Sequence, residues 1–169
     1  MKLIKWNTVE NIEAYTITKE LGDMSYNNED KQLILNNRKQ LAKLLKTDLE
    51  HMVAPHQTHS ANFKEVSLKD GGRGMYCQDD AFNNTDALYT KDTDLFLLSF
   101  HADCTPVLLY CPKTKIIAAI ACSFCGSVVA SDVSVYGMVD AYVQLYNGGN
   151  GTVVDLGLSL IHISEPTRH

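Results

Sequence analysis

The stretch Leu95-Phe96-Leu97-Leu98-Ser99-Phe100-His101-Ala102-Asp103-Cys104-Thr105-Pro106-Val107-Leu108-Leu109-Tyr110 sets two short apolar runs on either side of a polar cluster. The length and aromatic content of the runs favour core strands over an exposed helix. The cluster between them therefore sits at a strand end and holds the thiol of Cys104 close to the imidazole of His101. A second cluster, His56-Gln57-Thr58-His59-Ser60, follows Val53-Ala54-Pro55 in the same way. Chemistry-bearing side chains are thus expected where buried strands run out.

Outward from this stretch, residues 12–18 alternate as an early strand, and Asn28, followed by Glu29 and Asp30, reads as a helix N-cap with an acidic first turn. Residues 31–46 then form a helix. Ile34, Leu41, Leu44 and Leu45 fall on one face, while Lys31, Arg38, Lys39, Lys43 and Lys46 lie mostly elsewhere, the pattern of a surface helix docked on a sheet. Residues 51–54 and 62–68 read as strands, with a loop at Lys69-Asp70-Gly71-Gly72-Arg73-Gly74, and Asp86-Ala87-Leu88-Tyr89-Thr90 precedes the turn Lys91-Asp92-Thr93-Asp94. The turn Pro112-Lys113-Thr114-Lys115 leads into a further strand at 116–121. A second helix is expected over 135–146, stopped by Gly148-Gly149-Asn150-Gly151, and a short strand begins at Val153-Val154. Residues 159–169 show neither a strand partner nor a cap.

A chain of 169 residues fits one domain with a core large enough to need no staples. Hydrophobic content of 45%, charged content of 21% and a net charge of −5 are ordinary for a globular protein, and without a basic stripe they speak against a nucleic-acid surface. The N-terminus lacks the features of a secretory signal, and no run approaches the ~20 apolar residues that span a bilayer, so a cytoplasmic location is expected. The five cysteines, at 77, 104, 111, 122 and 125, are odd in number and are expected to be thiols, buried or metal-binding, and not a disulfide framework.

Zinc prefers Cys sulfur and His nitrogen, and a catalytic zinc keeps one position open beside three protein ligands. His59 and Cys104 suit two of those places. Cys104 suits equally the role of a nucleophile with His59 as its base. Spacing does not choose between them, and a His or Cys at a strand end is commonly just a packed, hydrogen-bonded residue. The Cys122-Ser123-Phe124-Cys125 pair lacks the setting of a redox motif, and the glycines at 71, 72 and 74 lack the strand-to-helix setting of a phosphate loop.

Gln57-Thr58-His59-Ser60, Thr85-Asp86-Ala87-Leu88-Tyr89-Thr90, and Ala102-Asp103-Cys104-Thr105-Pro106 followed by Ile116-Ile117-Ala118-Ala119-Ile120 resemble, in order and spacing, the polyphenol-oxidase or laccase-domain family. That family is also called peptidoglycan-editing factor. Asn37-Arg38 and Gly72-Arg73-Gly74 add to the likeness. The resemblance implies an α/β (α+β) fold of mixed sheets sandwiched between helices, incomplete at the C-terminus, forming one truncated domain over residues 1–158. It implies a zinc-dependent purine nucleoside phosphorylase acting on adenosine, inosine and methylthioadenosine, with adenosine deaminase activity and an older assignment to copper and phenol oxidation. His59 and Cys104 map onto the first two metal ligands, and Arg38 or Arg73 would hold phosphate. In the family's third ligand position, a His before Ala/Ser-Gly-Trp, this chain carries Ala121, so impaired activity or a non-catalytic fragment is expected. The segment 159–169 resembles translated adapter sequence, a tail foreign to the family.

Overall fold

A computed structural model describes residues 2–6, 11–27, 29–101, 104–122, 134–135 and 157–163. Its strands are β1 (Leu3–Lys5), β2 (Ile12–Ile17), β3 (Met52–Val53), β4 (Phe63–Glu65), β5 (Ala87–Thr90), β6 (Phe96–His101), β7 (Thr105–Cys111), β8 (Ile116–Cys122), β9 (Ser134–Val135) and β10 (Gly157–Ile163). One α-helix, α1 (Lys31–Leu44), lies between β2 and β3. Of the second helix expected over 135–146, Val135 belongs to β9 instead, and the rest lies outside the described residues, as does the strand at 153–154.

Two five-stranded mixed sheets carry the fold, with orders β1-β2-β10-β6-β3 and β4-β5-β8-β7-β9. In the first, β3 runs parallel to β6 and the other pairs are antiparallel; in the second, only β4 and β5 are parallel. The two apolar runs on either side of Cys104 therefore part company: β6 belongs to one sheet and β7 to the other. The chain thus changes sheets between the end of β6 at His101 and the start of β7 at Thr105.

Side-chain alternation along a strand gives each sheet two faces. Ile12, Ala14, Leu95 and Leu97 from the first sheet meet Leu88, Leu108, Ile117 and Ala119 from the second, forming the inter-sheet core. On the opposite parity, Ile17, Met52, Phe96 and Leu98 pack with Leu41 and Ala42 of α1. The first sheet is thus buried on both sides, which explains why 95–98 is a continuous apolar run.

Three further expectations are corrected. The helix N-cap is Asp30, whose carboxylate accepts the N–H of Leu33 at 2.9 Å, so the cap falls two residues after Asn28. Arg38 is not on the solvent face of α1; the buried stripe is Ile34, Asn37, Arg38, Leu41 and Ala42, while Leu44 is 46% exposed. Residues 159–163 of the segment expected to lack a partner do have partners, the remainder lying outside the described residues: β10 inserts between β2 and β6, with six residues in register on one side and five on the other. The run Leu158-Ser159-Leu160-Ile161-His162-Ile163 is short and largely apolar, with apolar residues at both parities, as suits a strand hydrogen-bonded on both edges.

Candidate functional site

The segment 56–62 leaves β3 and is tied down along its length. Gln57 pairs with the main chain of Phe100 in both directions, donating from Nε2 to the carbonyl at 2.8 Å and accepting the N–H on Oε1 at 2.7 Å. The N–H of His56 donates to Phe82 O, and Asn62 donates from Nδ2 to Asn84 O at 2.9 Å. Between these anchors His59 adopts φ 60°, in the left-handed region that costs an L-residue roughly 1–2 kcal/mol.

The buried Asp86 offsets that cost. Its carboxylate accepts the N–H groups of Thr58 (3.3 Å), His59 (2.9 Å) and Ser60 (2.8 Å), and the Ser60 hydroxyl at 2.7 Å. Three successive main-chain donors converging on one anion form a nest. The carbonyl of Asp86 also accepts the N–H of Ala121 at 3.0 Å, joining the end of β8 to the same point.

The consequence is a convergence of residues 45 positions apart: His59 Nδ1 lies 3.6 Å from Cys104 Sγ. Cys104 is buried while His59 is exposed, so a protected thiol faces an accessible imidazole. His59 borders a cleft of about 640 Å³ with Ser60, Asn62, Phe63, Asp86 and Tyr89, over a floor of Ile116, Ala118 and Ile120, with Ala121 at its end. Such a volume suits a small-molecule ligand, and its balance of apolar walls with a few polar groups is that of a binding cleft.

The other expected site residues lie elsewhere. Arg38 is 2% exposed, and its Nε and Nη2 donate to Met24 O at 2.9 and 2.6 Å. Nη1 donates to Gly74 O and to Met75 O, and the guanidinium stacks on Tyr26 at 4.2 Å from the ring centroid. Burial lowers its pKa to about 10. A phosphate-holding role meets a guanidinium that already makes four hydrogen bonds to carbonyls with its five N–H groups; Arg38 borders a separate cavity of about 70 Å³ with His56 and Gln57. Arg73 is exposed, stacks on Phe82 at 3.9 Å and donates to Asp80 O, away from the cleft of His59. His101 ends β6 half-buried, and desolvation lowers its pKa to about 4.

For zinc, the described residues supply two donors, not three. The Asp86 carboxylate is occupied by four hydrogen-bond donors, Ala121 has no ligating atom, and no group of three His, Cys, Asp or Glu side chains fit to hold a metal occurs among the described residues. The set is incomplete for a catalytic zinc. Asp86 stands in a motif that carries the family resemblance, but the sequence assigns it no role, because a carboxylate before a short strand carries no local signal of the loop it anchors.

The model of the family described as multi-copper polyphenol oxidoreductase laccase matches residues 16–136, which include every element of this site. The chain belongs to that family. Among curated relatives, the purine nucleoside phosphorylase YlmD of Bacillus subtilis (strain 168) is 30% identical over 95 residues, covering 56% of this chain and 34% of that protein. Purine nucleoside phosphorylase SACOL1200 of Staphylococcus aureus (strain COL) is 32% identical over 105 residues, covering 62% and 38%. Among solved structures, the Bacillus licheniformis hypothetical protein YfiH superposes with a TM-score of 0.63 at 32% identity, covering 66% of this chain and 45% of that one. YlmD from Geobacillus stearothermophilus gives 0.64 at 26%, covering 68% and 46%. This laccase-family chain thus spans less than half of each of these relatives, and it shares with the solved ones the mixed α/β fold.

Proposed function

We propose that the cleft beside His59 binds a purine nucleoside and that this chain descends from enzymes that phosphorolyse such nucleosides. The approach of His59 Nδ1 to Cys104 Sγ, with His59 itself lining an apolar cleft, carries the reading. The aromatic pair Phe63 and Tyr89, with centroids 6.2 Å apart, and the Ile116, Ala118 and Ile120 floor offer faces for a planar base. With the base there, the sugar lies toward His59.

In phosphorolysis a phosphate oxygen forms a bond to the ribose C1′ as the glycosidic bond breaks, and the base leaves with the electron pair and takes up a proton. In this pose the exposed His59 imidazole lies on the sugar side of the base, suited to hydrogen-bond the ribose or the attacking phosphate. Zinc, copper, adenosine deamination and the choice among adenosine, inosine and methylthioadenosine belong to the same proposal, through the resemblance and the names of the relatives. With two donors in place of three, no step is assigned to a metal here. Loss of an outer-shell partner alone costs about 10–100-fold in metal affinity or activity, so loss of a ligand costs at least as much.

The test compares the purified chain with Ala121→His for zinc content and for phosphate-dependent release of base from adenosine and inosine. The expected result is weak or absent turnover in the unaltered chain and gain of both properties in the variant. Robust turnover by the unaltered chain that survives Cys104→Ala removes the site from the reaction. Failure of Ala121→His to gain either property favours a non-catalytic fragment. Metal-independent covalent trapping at Cys104 by a substrate-like electrophile favours a cysteine hydrolase instead.

A further inference from the structure

The buried acid Asp86 takes four side-chain hydrogen bonds from the turn that carries His59. A helix cap would use one or two such donors. This carboxylate gathers three consecutive main-chain N–H groups, and the middle one belongs to a residue held at φ 60°. A left-handed histidine flanked by non-glycine residues reverts to extended backbone unless something holds it, because the left-handed region is intrinsically unfavourable for L-residues. Reversion swings the imidazole away from Cys104. The second tie, from Ala121 N–H to the Asp86 carbonyl, comes from the main chain and survives any change of side chain.

We infer that Asp86 is a positioning residue: its carboxylate occupies the nest formed by residues 58–60, fixes His59 in the left-handed conformation, and thereby sets the His59–Cys104 approach. This deepens the reading of that pair as the functional centre and rests on it. The carboxylate is engaged by the turn and not by the thiol, so its effect on chemistry passes through His59.

The readout is the reactivity of Cys104, measured as the rate of alkylation by iodoacetamide and resolved from the other four cysteines by peptide mass spectrometry. An imidazole within reach of a thiol raises its thiolate character and its rate. His59→Ala is expected to slow alkylation of Cys104. Asp86→Asn, which keeps the shape but replaces one acceptor oxygen by a donor, is expected to slow it by a similar factor. The double variant is expected to react no more slowly than His59→Ala alone, within about twofold, the scatter of additive effects. Alkylation unaffected by His59→Ala defeats the reading of the pair. A clear effect of His59→Ala with none from Asp86→Asn, or additive effects of the two, defeats the inference about Asp86 while leaving the pair intact.

Should Asp86→Asn not fold, amide hydrogen exchange on the unaltered chain decides the matter. The N–H groups of Thr58 and His59 belong to exposed residues, yet they are expected to exchange slowly because the carboxylate holds them. Exchange at the rate of an open loop overturns the inference.

Discussion

Replacing Arg38 separates two roles for a buried arginine. The guanidinium is nearly inaccessible and bridges the turn at Met24, the loop at Gly74 and Met75, and helix α1. In Arg38→Met the carbonyls of Met24 and Gly74 lose these donors, at about 1–3 kcal/mol for each buried unsatisfied group. Met75 O keeps the Tyr26 hydroxyl at 2.9 Å and is spared. Loss of the stack on Tyr26 adds about 0.5–2 kcal/mol. Against these stands relief of desolvation: the pKa falls from the ordinary arginine range to about 10, which corresponds to roughly 3 kcal/mol. The expected net destabilisation of Arg38→Met is about 2–3 kcal/mol. Arg38→Lys retains the buried charge without the planar fork that reaches three carbonyls, so its cost is higher, about 3–5 kcal/mol. Urea unfolding at neutral pH, with the m-value unchanged, measures both. A clamp predicts Lys worse than Met; a residue whose task is to attract phosphate predicts the reverse for phosphate binding, with little change in stability. A loss under about 1 kcal/mol in both variants would refute the clamp.

Two further outcomes follow from the fold. His101 has a pKa of about 4 in the folded protein against 6.5 for an unperturbed histidine, so between those values the unfolded chain binds the extra proton and stability falls as pH falls. The expected loss is on the order of 3 kcal/mol by pH 4, and His101→Gln should flatten that part of the stability profile; an unchanged slope means that other groups cause it. Ending the chain after residue 156 removes β10 from the middle of the first sheet, unpairing β2 and β6 together. Cooperative thermal unfolding, followed by circular dichroism, is expected to disappear, and its survival would show that β10 contributes little to the folded state.

Helix α1 and the strands β2, β3, β4, β6, β7 and β8 are legible in the sequence because their signals are local. Alternation at 12–17, the apolar run at 95–98, the turn at 112–115 and the periodicity of α1 each report burial on a known face within one element. The same locality explains the errors. Arg38 reads as a surface residue because charge usually marks solvent, and only the main-chain carbonyls of Met24, Gly74 and Met75, arriving from other segments, make its burial tolerable. The segment of β10 reads as partnerless because a strand's partners are never in its own sequence, and here they are β2 and β6, far back along the chain.

By itself the sequence determined the kinds of groups available: an imidazole in a polar segment after β3, a thiol at the start of β7, and an alanine where the resemblance calls for a third ligand. It determined that these groups stand at the ends of strands, since apolar runs must stop where polar clusters begin. Only the tertiary structure decided that His59 and Cys104 meet at 3.6 Å, that the chain changes sheets between β6 and β7, and that Asp86 holds the turn from 26 to 28 positions away. The physical reason is that hydrophobic periodicity encodes which face of an element is buried, whereas the partner that covers that face, and the buried acceptor that fixes a strained turn, are set by the packing of the whole chain.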